Sequence, residues 1–370
     1  MSKKFLKIGL GLLVAAGLLD LAHAAPPGQK LKKLHGHVPS FVANLTPFAD
    51  EPATNHLHLA IGLPLRNEAV LDLLLQQISD PSSPNYRHFL TPAQFADQFS
   101  PTVQDVQAVE DFARNNGLTV SRVHANRMLV EVNGTVSNIE KAFNVKLRKY
   151  HHPRENRDFF APDTEPAVPF DLPVMDVSGI SSYARPHPKL QLKAQTTAAP
   201  KIGSGPFGNY MGYDFRSAYV PGTSLTGSGQ KLALVQFDGY YASDIAQYAQ
   251  QAGLPGVPLT NILLNGFSGI PTGSGGEVEV SLDIEMVISM APNLSQVLVY
   301  EGDPFNFIPN VVLNQIAEDN SASQVSCSWG WVGGPNATSD QIFKQMALQG
   351  QSFFNASGDS DAFLPGQVDD

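Results

Sequence analysis

The chain holds a single cysteine, Cys327, in 370 residues, which excludes an intrachain disulfide and leaves packing to hold the fold. Histidine is missing from residues 201–370. All ten histidines lie at or before His187, so residues 201–370 offer no imidazole for a Ser-His-Asp triad. A carboxylate is the base that remains, and with an ordinary pKa near 4 it works in acid, where histidine is protonated. Basic side chains are scarce there as well. Residues 201–370 carry four (Lys201, Arg216, Lys231, Lys344) against sixteen acidic ones, a net of −12, while the first 200 residues carry +2. Phosphate binding needs clustered lysine and arginine, so nucleic acid is excluded as a partner. Such an acidic half suits low pH, where protonation relieves its self-repulsion.

Long apolar runs are also lacking. The run from Ile8 to Leu19 falls short of the roughly 20 residues that span a bilayer. Lysines precede it at 3, 4 and 7, and Ala22-His23-Ala24 follows it. This pattern reads as a signal peptide over 1–24, cleaved after Ala24 to give a secreted protein, extracellular or periplasmic, with no membrane attachment.

What is present is a globular composition, 42% hydrophobic and 16% charged, long enough for about two domains. Asn55 to Leu63 alternates as a half-buried strand, and Asn67 to Asp80 has helical spacing. Thr91-Pro92-Ala93-Gln94 and Ser137-Asn138-Ile139-Glu140 read as capping boxes. Val103 to Asn116 reads as a helix and Leu118 to Val132 as two strands. This order predicts a small α+β domain over 25–185 with helices on one face of an antiparallel sheet. Residues 186–209 have linker composition, rich in Pro, Gly, Ala and Thr, and fit either a passive tether or a site of proteolytic processing. From 210 to 370, strand-like and helical segments alternate: Lys231 to Phe237, Ser243 to Gln251, Ile262 to Phe267, Val278 to Met290, Gln296 to Tyr300 and onward. The alternation predicts an α/β fold with a doubly wound parallel sheet, whose ligands sit beyond the strands' carboxyl ends.

Within this half, Glu279 and Asp283 stand at i and i+4 and share one helix face. Ser281, Glu285 and Ser289 form a separate polar stripe, so the two acids are expected to point inward. Inward carboxylates that share a site acquire separated pKa values and can divide base and orienting roles, although a structural ion-pair network perturbs pKa values too. Gly358-Asp359-Ser360 puts an aspartate at a strand's carboxyl end, as a functional group or a turn former. Ser326-Cys327-Ser328-Trp329-Gly330 is a second strand end, in which Trp329 walls a peptide cleft or fills the core.

Taken together these segments resemble the sedolisin and kumamolisin family of serine-carboxyl peptidases. Ser83 to Pro92 is similar to its activation domain and Tyr213 to Tyr219 to the start of its mature enzyme. Glu279-Val280-Ser281-Leu282-Asp283, Ser326 to Gly330 and Gly358-Asp359-Ser360 are similar to its active-site motifs. The resemblance implies a subtilisin-like sheet preceded by a ferredoxin-like prodomain that acts as an intramolecular inhibitor, and peptide or protein substrates. It implies Glu279 as general base, Asp283 as the group that holds and polarises it, and a protonated Asp359 as hydrogen-bond donor to the oxyanion. Ser328, Trp329 and Gly330 would bind substrate. Gln236 stands where kumamolisin-like members often have another acid. The family's Gly-Thr-Ser nucleophile and its calcium site would follow Asp370, so calcium is expected for the complete fold but not within this chain. The chain as given is expected to stop before its nucleophile and to be inactive. The competing class is a secreted, non-catalytic protein that binds and inhibits a related protease. A histidine-based subtilisin is disfavoured by the missing histidines.

Overall fold

The computed structural model describes residues 30–190, 202–332 and 336–359. The expected signal peptide, the middle of the expected linker and Ser360 lie outside the described residues.

In the N-terminal unit, strands β1 (His56–Gly62), β2 (Thr119–Val123), β3 (Leu129–Thr135) and β4 (Asp176–Ser178) form an antiparallel sheet in the order β2-β3-β1-β4. Helices α1 (Glu68–Ser79), α2 (Pro92–Gln98), α3 (Val103–Asn115) and α4 (Val136–Phe143) complete it. The two-residue period of a strand gives this sheet two different faces. Leu59, Ile61, Val130 and Val132 pack with Val106 and Val109 of α3 and with Ile139 and Phe143 of α4. His58, Ala60 and Gly62 point the other way, toward the C-terminal unit. Thr91 and Gln94 form the expected reciprocal cap of α2. A second such cap, Thr102 with Asp105, opens α3. The box expected at Ser137 is corrected: α4 begins two residues earlier, at Val136, and Thr135 is its cap, accepting from Asn138 N–H. Ser137 therefore lies inside the first turn.

The C-terminal unit is a five-stranded, all-parallel sheet of β5 (Lys231–Gln236), β6 (Leu259–Leu263), β7 (Gln296–Glu301), β8 (Gln324–Cys327) and β9 (Ser352–Asn355), ordered β6-β7-β5-β8-β9. Its helices are α5 (Tyr213–Tyr219), α6 (Ala242–Gln251), α7 (Gly276–Met290), α8 (Pro309–Asp319) and α9 (Ala337–Leu348). Helices α5 and α6 pack on α7 against one side of β5, and α8 packs with α9 on the other. The polar stripe Ser281-Glu285-Ser289 is partly covered by α6. Ser289 is fully buried and bonds Tyr248 Oη of α6 at 2.9 Å, and burial followed by the charge of Asp244 pushes Glu285 up to about 7.

The two units share one core. Leu71 and Ile78 of α1, with Phe95 and Phe99 at α2, join the C-terminal cluster that contains Ile316, Ile342 and Met346. Gly62 lies so close to α9 that a Cβ there would meet Thr338 Oγ1 at 2.3 Å. Polar groups seal the seam. Asn126 Nδ2 donates to Asn314 Oδ1 (2.7 Å) and Gln345 Oε1 (2.9 Å), and His124 Nδ1 lies 3.0 Å from Glu318 Oε2.

Candidate active site

The carboxyl ends of β5 and β8 and the start of α7 converge on one cluster, as expected for an open parallel sheet. Glu279, on the first turns of α7, is 3% exposed. The positive end of the helix dipole lessens the cost of an anion there. One turn on, Asp283 accepts from Gln236 Nε2 at 2.7 Å and from Ser328 Oγ at 2.6 Å. Trp329 Nε1 in turn donates to Gln236 Oε1 at 2.7 Å. The indole thus orients an amide, and the amide orients a carboxylate. Gly276 permits this crowding: a Cβ there would lie 2.7 Å from Asp238 Oδ2 and 2.9 Å from the Trp329 ring.

Electrostatically the cluster is short of cations. Burial, followed by the charges of Asp283 and Asp359, pushes Glu279 up to about 7. Burial raises Asp283 as well, against its hydrogen bonds from Ser328 and Gln236. Asp359 sits just after β9, close enough for its charge to be felt at Glu279. Glu279 and Asp283 therefore both hold their protons to higher pH than ordinary carboxyls, so the cluster can both take up and donate a proton. Cys327 is no nucleophile, since burial pushes its thiol up to about 12.

The structure therefore brings Glu279, Asp283, Ser328 and Asp359 together. Trp329 divides its parts: the ring is buried in the core, edge-on to Phe237 at 5.8 Å, while its backbone forms a strand end. That strand end has a partner that the sequence reading did not anticipate. Residues His187–Pro188, expected within a linker, pair antiparallel with Trp329–Gly330. Lys189 N–H donates to Ser328 O at 2.9 Å, Leu190 N–H donates to Glu279 Oε2 at 3.1 Å, and Asp359 N–H donates to Lys189 O at 3.3 Å. The chain's own segment lies across the cluster. Proline-rich composition gave no signal of this, because the pairing is supplied by an open strand edge far along the chain.

A second buried acid was also missed. Glu301, at the end of β7, is fully buried, and burial followed by the charge of Asp238 pushes it up to about 8. Asp238 accepts from Thr272 N–H and Oγ1, each at 2.8 Å, and from Ser274 Oγ at 3.2 Å, and so fastens the loop before α7. Among the described residues no group of three or more His, Cys, Asp or Glu side chains is arranged to hold a metal ion, and no helix is long and apolar enough to cross a membrane.

Residues 49–183 match the family model described as Pro-kumamolisin, activation domain. The chain is 29% identical over 333 residues to sedolisin of Pseudomonas sp. (strain 101), covering 86% of this chain and 56% of that protein. It is 28% identical over 296 residues to kumamolisin of Bacillus sp. (strain MN-32), covering 75% and 52%. It is 26% identical over 341 residues to xanthomonalisin of Xanthomonas sp. (strain T-22), covering 85% and 40%. The chain spans about half the length of the curated relatives it matches. Among solved structures, Pseudomonas sedolisin (serine-carboxyl proteinase) complexed with two molecules of pseudo-iodotyrostatin matches at a TM-score of 0.35 and 24% identity, over 38% of this chain and 42% of that one.

Proposed function

From its similarity to the sedolisin family, we propose that the chain is the precursor of a secreted, acid-acting serine-carboxyl endopeptidase. In this reading residues 25–185 are the activation domain, residues 186–209 carry the processing site, and 210 onward is the catalytic domain. The strand order β2-β3-β1-β4, with α3 and α4 on one face, supports a ferredoxin-like prodomain. One observation carries the reading: residues 187–190 run as an antiparallel strand along Trp329–Gly330, with a backbone N–H on Glu279. Extended pairing on an exposed strand edge is how proteases hold peptides, since main-chain bonds give affinity irrespective of sequence.

The proposed chemistry is acyl transfer. Glu279 takes the proton of the attacking serine hydroxyl as its oxygen bonds the peptide carbonyl carbon, and delivers that proton to the leaving nitrogen as the C–N bond breaks. Asp283, fixed by Gln236 and Ser328, orients Glu279 and raises its proton affinity. Asp359 in its neutral form donates to the tetrahedral oxyanion. Ser328, Trp329 and Gly330 bind the substrate backbone. Calcium is the expected metal of the complete fold, and no step of this chemistry runs through it.

Hydrolysis of an unfolded protein at pH 4, by the protein expressed from its complete gene, tests the reading. Asp283→Asn and Asp359→Asn are each expected to lower kcat/KM by roughly 100-fold or more, the scale of losing one oxyanion-hole or orienting group. Near wild-type rates in both would return these acids to a structural role.

A further inference from the structure

The segment that crosses the cluster is held in a single register, and that register singles out one peptide bond. Both ends of the Lys189–Leu190 peptide are gripped. Its carbonyl oxygen accepts from Asp359 N–H at 3.3 Å, and its nitrogen donates to Glu279 Oε2 at 3.1 Å. The two bonds before it fail the same test. The nitrogen of Pro188–Lys189 donates to Ser328 O at 2.9 Å, and a carbonyl has no proton to give a departing amine. The bond before Pro188 has no N–H at all.

The side chain on the acyl side is equally fixed. The Lys189 stem lies on Gly330, where a Cβ would come within 2.0 Å of its Cε, and passes Gly358, where a Cβ would lie 3.5 Å from its Cδ. Two glycines thus form a slot that fits a long unbranched stem. The slot sits in a unit whose net charge of −12 favours a cation.

Resting on the peptidase reading above, we infer that Lys189–Leu190 is the bond this protein cuts in itself, and that the pocket beside Gly330 and Gly358 selects a lysine-type side chain on the acyl side of the cut. Water is the co-reactant. The C–N bond breaks, Lys189 is left with a carboxylate, and Leu190 becomes a free amine at the new N-terminus. A cut there severs the covalent tie between the two units where that tie crosses the cluster. A slow single turnover is sufficient.

The test uses the protein expressed from its complete gene, brought from neutral pH to pH 4, with N-termini read by mass spectrometry at early times. The first new terminus is expected at Leu190. Lys189→Arg should keep the cut, Lys189→Glu should slow it at least 10-fold, and Leu190→Pro should abolish it at this bond. A Glu279-dependent first cut elsewhere, or one indifferent to Lys189→Glu, overturns this inference and leaves the peptidase reading standing. No Glu279-dependent cut, and no hydrolysis of an added peptide with lysine at the acyl position, overturns both. Circular dichroism of each variant separates a blocked cut from a failed fold.

Discussion

Two sets of buried carboxylates in this molecule respond to their surroundings in opposite directions. At the seam between the units, Glu131 lies between His58 and His124, 2.8 Å from each, and His124 reaches on to Glu318 at 3.0 Å. Burial works against its charge, yet hydrogen bonds from His124 and His58 hold Glu131 down to about 2. Glu318 is likewise lowered, its burial outweighed by His124, Ala125 N–H and Arg122. Asp176 is lowered too, its burial outweighed chiefly by His37. At the cleft, where no histidine offsets it, burial wins: Glu279 rises to about 7 and Glu301 to about 8. The uneven distribution of histidine therefore separates acids that clasp from acids that hold protons.

The two regions have different pH windows. For the clasp, Glu131 contributes stability above its ordinary 4.5 that is lost as pH falls through about 2. His58 and His124 are raised, because the hydrogen bonds they donate to Glu131 and its neighbours overcome burial, so their contribution is complete below 6.5 and lost as pH rises through the raised values. The clasp is thus strongest between about pH 4.5 and 6.5. For the cleft, a raised acid binds its proton more tightly when folded, so the destabilisation present above about 7 is relieved as pH falls toward 4.5. Both terms favour mild acid, and the thermal midpoint of the intact chain is expected to peak there. Mild acid does not by itself open the clasp, so the proposed release of the N-terminal unit would need the proposed cut.

The largest effect should come from breaking the clasp. Glu131→Gln leaves two buried histidines without their shared anion and is expected to cost roughly 3 to 5 kcal/mol at pH 5.5, measured by chemical denaturation. The acid side of its stability profile should flatten. A loss below 1 kcal/mol would mean that the histidines are neutral in the fold. A smaller effect of opposite sign is expected in the cleft. Glu301→Met removes a buried acid and should raise stability by roughly 2 kcal/mol at pH 9, with little change at pH 5. The smallest concerns the rim of the seam, where Lys344 Nζ meets Asp72 Oδ1 at 3.0 Å in the open. Lys344→Ala should change stability by about 0.5 kcal/mol or less, and added salt should erase the difference.

Much of the C-terminal fold was legible because strand and helix alternate cleanly, and only a parallel sheet accommodates that order. The inward placement of Glu279 and Asp283 followed from helical spacing alone. The polar stripe separate from them is not wholly open, since Ser289 lies buried against Tyr248 of α6. Trp329 could not be resolved between core and cleft because it serves both, ring inward and backbone at the strand end. Residues 187–190 were opaque for a different reason. Their composition encodes only an absence of helix, and their conformation is set by the edge that receives them. The histidine clasp was missed because its members are distant in sequence: His58, His124 and Glu131 become neighbours only once the sheet forms, and Glu318 arrives from the other unit.

The account rests on Glu279 being the group that moves the proton, and Glu279→Gln tests that most directly. In the protein from its complete gene, this substitution is expected to abolish both self-cutting at pH 4 and hydrolysis of added peptide. The thermal midpoint at pH 7 should hold or rise, because a crowded charge has been removed from the cleft. Self-cutting at the wild-type rate in a folded Glu279→Gln variant would contradict the account.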